Sequence, residues 1–139
     1  MNGTDLQQLA DVRIAEAVSL LSLPVPMPDG AYYLAGYAVE CALKACIARQ
    51  VREHDFPDKQ LVNGSYTHEF QRLIRAADLE RQLLNDGKSN PAFEAYWITV
   101  QNWNESSRYE RHALSKAQKI VRAITDPADG VLPWIKVRW

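Results

Sequence analysis

Cysteine, histidine and glycine are scarce in this 139-residue chain, which has two, three and six of them. Two cysteines cannot staple a secreted scaffold. Cys41 and Cys46 also lie five apart in one helical stretch, about 140° round its axis, where they cannot pair with each other. They read as small core residues in a reducing compartment. His54, His68 and His112 are scattered, and no Cys/His or Glu-x-x-His pair has ligand spacing, so no metal is expected. The chain has no Gly-x-Gly-x-x-Gly and no Walker loop, so the usual phosphate cradles are absent and no cofactor is expected. No serine elbow or cysteine-nucleophile motif is present either. Charge of one sign is also lacking. At a net −1, no global field draws the molecule to nucleic acid or to a membrane. The opening MNGTDLQQLADVR has neither the basic start nor the apolar core of a signal peptide, and the expected compartment is the cytoplasm.

What the chain does have is the composition of an ordinary globular protein, 47% hydrophobic and 24% charged, and enough length to bury one core. A single domain over residues 1–139 is expected. Its charge is unevenly placed. Residues 1–30 carry Arg13 against Asp5, Asp11, Glu16 and Asp29, a net −3, whereas residues 108–139 carry a net +4. An anionic partner is expected at the C-terminal third.

The longest apolar stretch is Ala31–Val51, AYYLAGYAVECALKACIARQV, which reads as one helix of about six turns with small or apolar residues on nearly every face. Such a helix belongs in a bundle centre or in a membrane. Glu40 and Lys44 decide against the membrane, where each costs roughly 2.5–3.5 kcal/mol at mid-helix. In a soluble bundle they stand one turn apart, acid first, the favoured order for a helical ion pair. Tyr33, Tyr37, Glu40 and Lys44 together form one polar-edged seam.

The flanking chain supplies partners for that helix. Thr4-Asp5-Leu6-Gln7 fits a capping box, opening a first helix to about Leu23 with Leu6, Ala10, Ile14, Ala17, Val18 and Leu21 on one stripe. Pro24, Pro26 and Pro28 end it, and Asp29 is expected to cap the central helix. Residues Arg52–Tyr66, with Pro57 and Asn63-Gly64, read as a surface loop. Thr67 is expected to cap a third helix facing inward through Phe70, Leu73, Ile74 and Ala77. Asp78 restarts it as a short segment, Leu79–Leu84, which Asn85-Asp86-Gly87 closes. Asn90-Pro91 is a cap followed by proline at the first helical position, with Phe93, Trp97 and Val100 inward. Ser107 and Glu110 spell another capping box for a helix carrying Ala113, Ala117, Ile120, Val121 and Ile124. Asp126-Pro127 repeats the start signal before an apolar tail with Trp134 and Trp139, packed on this bundle or on a second subunit. The sum is an all-α, up-and-down bundle of four main helices plus one or two short ones.

Chemistry remains at the helix termini. Arg108 and His112, one turn apart at a helix N-terminus, put a guanidinium and an imidazole beside free backbone N–H groups, a fit for phosphate. Lys116 and Lys119 extend that face. A solvated basic face is the plainer reading of the same pattern.

YYLAGYAVECALKACI in the second helix, the Thr67-His68 helix start and Arg108-Tyr109 opening the last long helix together resemble the HEPN domain. The resemblance implies a four-helix up-and-down bundle with an extra short helix, commonly a homodimer. It also implies roles in RNA cleavage, in nucleotide binding, or beside a nucleotidyltransferase in toxin–antitoxin pairs. Catalytic members carry Arg, four to six residues, then His, and cleave RNA without metal. The imidazole works at the ribose 2′-hydroxyl and the guanidinium at the phosphate. Here Arg108 and His112 enclose only three residues. The leading expectation is therefore a nucleotide-, RNA- or partner-binding protein without robust catalysis, its groove formed by Glu40, Lys44, His68, Arg108 and Tyr109. One alternative is a metal-independent ribonuclease toxin using Arg108 and His112 as catalytic residues. The other is a purely structural interaction bundle.

Overall fold

A helix that is small or apolar on nearly every face needs neighbours on most of its sides, and the computed structural model gives them to Pro28–Glu53 (α2), while the edge carrying Leu34, Tyr37, Lys44 and Ala48 stays half-buried. The structure describes residues 1–53 and 67–139. The expected loop Arg52–Tyr66 falls outside them, except for its first two residues, which continue α2. Around α2 come α1 (Gly3–Leu21), α3 (Phe70–Ala76), α4 (Glu80–Ser89), α5 (Pro91–Gln101), a 3₁₀ turn (Glu105–Tyr109), α6 (Leu114–Thr125) and α7 (Val131–Lys136). No strand occurs among the described residues. The all-α bundle with extra short helices is what forms. α2 touches α1, α3, α6, α7 and the 3₁₀ turn, and α5 bridges α4 and α6.

The α1–α2 hairpin is the most extensive pairing. Its closeness follows from small side chains on both helices: Gly3, Ala10 and Ala17, each seven residues apart, and Ala31, Ala35, Ala38, Ala42 and Ala45 are all buried. This seam is narrower than the sequence stripe, and Val18, one step round from Ala17, is left exposed. The deepest larger side chains are Leu43, Leu73, Ile74, Ile120, Ile124 and Ile135.

Several helix ends differ from the sequence expectation. α1 starts earlier, with Asn2 in place of Thr4. The Asn2 side chain accepts from the Asp5 N–H (2.8 Å) and Asp5 accepts in return from the Asn2 N–H (3.1 Å). A short carboxylate three residues on closes that box as Gln7 cannot. α2 begins with Pro28 at its first position, which leaves Asp29 inside the first turn rather than at the cap. Asp78 separates α3 from α4 by taking φ 57°, the left-handed conformation that Asp tolerates better than most side chains. α4 then runs through Asn85-Asp86-Gly87 to Ser89, because the stop that acts is Asn90-Pro91, where Asn90 accepts from the Phe93 N–H (3.2 Å). Asp126 accepts from the Asp129 and Ala128 N–H groups and from the Tyr96 hydroxyl, and these bonds hold its carboxyl below the usual range. α7 folds onto this bundle: Val131, Leu132 and Ile135 are buried, and Trp134 stacks on Phe93 while its Nε1–H donates to Asp86 (2.8 Å).

Both cysteines sit in the α2 core. Burial pushes each thiol up to about 11, and Glu40 adds to the effect at Cys41. A neutral, covered thiol is a poor nucleophile. An aromatic disulfide reagent at mildly alkaline pH is expected to label the folded protein roughly a hundredfold more slowly than the protein in urea. Rapid labelling of two thiols in the folded protein would contradict this burial.

Candidate functional site

The seam predicted along α2 is built as spaced. Glu40 is only 3% exposed, and a buried carboxylate requires partners. Lys44, one turn on, gives it Nζ at 3.3 Å. His68, in the extended stretch before α3, meets its other oxygen with Nδ1 at 2.8 Å. That stretch is shaped locally, as the Thr67 hydroxyl accepts from the Glu69 N–H (3.1 Å) rather than capping α3 directly. The opposite ring nitrogen, Nε2, faces Glu105 Oε2 of the 3₁₀ turn at 3.1 Å. A half-exposed pair of this kind is worth about 1 kcal/mol or less. His68 therefore stands between two carboxylates, one buried and held, one at the surface.

Aromatic rings fix the height of this assembly on α2. Tyr37 stacks on Tyr33 (6.1 Å between centroids), Tyr33 on Trp103 (5.9 Å), and Trp103 on Phe70 (5.3 Å). Trp103 lies across Gly36, where a Cβ would fall 2.2 Å from its ring, so only glycine admits the indole. Burial, with Cys41 and Glu40 nearby, raises the Tyr37 phenol and keeps it a hydrogen-bond donor.

Asn104 opens the 3₁₀ turn by accepting from the Ser106 N–H (3.0 Å). Side chains three apart eclipse in such a turn, so Glu105 and Arg108 share one edge of it. Arg108 is exposed. Its guanidinium lies 4.7 Å from the centroid of the Tyr109 ring, which is 79% exposed, and is pushed further up by Tyr109 first and then by Tyr33. An exposed guanidinium laid on an exposed ring presents both charge and a flat apolar face.

His112 is elsewhere. No helix runs from Ser107: residues 110–113 are extended between the turn and α6, so Arg108 and His112 do not share a helix face. The anticipated Ser107–Glu110 box does not form, and the Ser107 hydroxyl is buried without a partner in the structure. The His112 ring is buried and stacked on Tyr32 at 4.0 Å, its Nε2 bonds the Ser107 carbonyl (2.9 Å), and its backbone N–H donates to Asp29 (2.5 Å). Its role here is to brace the chain between the turn and α6. Lys116 extends over Tyr32 (4.7 Å) instead of prolonging a basic face with Arg108.

Glu40, Lys44 and His68 are thus brought together, Arg108 and Tyr109 lie on the neighbouring turn, and His112 is set apart. Glu105 was not singled out in the sequence. Its one signal was position, three residues before Arg108 and behind an Asn cap. A cleft of about 560 Å³ between α4 and α5, floored by Leu83, Phe93 and Trp97, carries no comparable cluster. Among the described residues no group of three His, Cys, Asp or Glu side chains could hold a metal, and both His68 nitrogens already face carboxylates. No helix among them is long and apolar enough to cross a membrane. The chain matches no known family, no curated protein and no solved structure.

Proposed function

We propose that this chain is a HEPN-like binding protein that takes a nucleotide or single-stranded RNA on the α2 seam and the adjoining 3₁₀ turn, without robust catalysis. The observation that carries the reading is the exposed Arg108–Tyr109 pair beside the Glu40–Lys44–His68 cluster. A guanidinium suits a phosphate and an exposed ring suits a base. The burial of the His112 ring and the bond of its Nε2 to the Ser107 carbonyl weigh for the binding reading over cleavage. The homodimer and the nucleotidyltransferase or antitoxin partner implied by the resemblance gain nothing from the geometry, since the Trp134 tail that suggested an interface covers its own bundle.

Fluorescein-labelled octauridylate, followed by anisotropy at low salt, tests the reading. Wild type is expected to bind it and Arg108→Ala to bind about tenfold more weakly, with a shallower salt dependence. The RNA is expected to stay intact in EDTA. Equal binding by both proteins would sink the assignment, and cleavage lost in His112→Ala would replace it with the ribonuclease.

A further inference from the structure

The second ring nitrogen of His68 is occupied in an unusual way. Glu40 is buried and tied to Lys44, so the Nδ1 contact belongs to the frame. Glu105 is 51% exposed and His68 44%, so the Nε2 contact is made at the surface by a side chain free to swing into solvent. Each contact sets a ring nitrogen against a carboxylate oxygen, an acceptor. Glu105 also occupies the same edge of the turn as Arg108, the exposed cation. A carboxylate at that point fills the place that an oxygen anion would take.

Resting on the function proposed above, we infer that Glu105 is a resident anion covering a phosphate subsite, and that a ligand phosphate displaces it from His68 Nε2. The ligand class is a phosphate ester. One oxygen takes the place that Glu105 vacates at Nε2, and Arg108 and Tyr109 at the other end of the turn hold the remainder of the molecule. With Glu105 swung out, Glu40 and Lys44 offset each other and the open ring N–H faces the incoming oxygen. Glu105 thereby sets affinity by competition, opposing anions that the rest of the surface attracts.

The experiment compares wild type, Glu105→Gln, His68→Gln and the double variant. Octauridylate is followed by anisotropy and ADP by calorimetry, after matched thermal melts confirm folding. Glu105→Gln is expected to bind about fivefold more tightly than wild type, because a like charge has gone from the subsite, and the gain should fade at high salt. The gain is expected to vanish when His68 is also changed. Tightening with ADP as well assigns the subsite to a free nucleotide phosphate, and tightening with octauridylate alone assigns it to an RNA backbone phosphate. If Glu105→Gln binds no better, or gains equally without His68, Glu105 is only a surface ion-pair partner and the inference falls, while the loss on Arg108→Ala still upholds the binding function. If neither probe binds wild type or any variant, both fall together.

Discussion

Gly36→Ala is expected to destabilise the protein by about 3 kcal/mol and to lower its melting temperature by about 10 °C. A methyl group at that position would sit 2.2 Å from Trp103 Cδ2 and Cε2, a separation that real carbon atoms do not hold. The indole cannot simply lift away. It is 3% exposed, stacked on Phe70 at 5.3 Å and an interplanar angle of 8°, and backed by Tyr33. Moving it would shift α3 and the start of the 3₁₀ turn together. The check is a double-mutant cycle: in a Trp103→Leu background, which suffers its own loss for the missing ring, Gly36→Ala should cost little. An additive result, or a Gly36→Ala protein as stable as wild type, would show that the ring does not rest on this glycine.

His112→Ala should cost about 3 kcal/mol as well, and its interest lies in what it leaves alone. The substitution deletes a buried ring stacked on Tyr32 and the bond from Nε2 to the Ser107 carbonyl, leaving a cavity behind the turn. The backbone N–H to Asp29 remains. Stability should therefore fall in urea unfolding. Octauridylate affinity, measured well below the transition, should stay within about twofold of wild type, as no His112 atom lies at the exposed pair. His112→Gln, which keeps a polar side chain near the Ser107 carbonyl, should recover part of the stability. A variant of wild-type stability that has lost a ribonuclease activity would reverse the assignment and return His112 to catalysis.

These two residues also mark where sequence reading succeeds and fails. Signals that act over four residues were legible: the Glu40–Lys44 pair, the Asn90-Pro91 start, the deep burial of most of α2. Those properties depend on neighbours along one helix. The Ser107–Glu110 spacing was misleading because a capping box and the end of a 3₁₀ turn can be written with the same residue types. What decided between them was a contact from 83 residues away, the Asp29 carboxylate holding the His112 N–H, and nothing local announces such a tether. Glu105 was missed for the same reason. Its meaning comes from His68, and their meeting depends on Trp103 finding Gly36. The contact of Glu40 with Lys44 could be read from one helix, whereas the meeting of Glu40 with His68 and of His68 with Glu105 required the fold.

The α1–α2 hairpin has a kinetic consequence. Its small-residue seam joins segments that follow one another directly in the chain, so its closure costs little chain entropy and an early place in folding follows from its topology. The edge proposed to bind ligand is the opposite case, drawing on residues near 40, 68 and 105 whose loops must be closed before those contacts form. The hairpin thus offers a template for the edge proposed to bind ligand. A phosphate held at His68 and Arg108, as proposed, would favour the state in which those loops are closed.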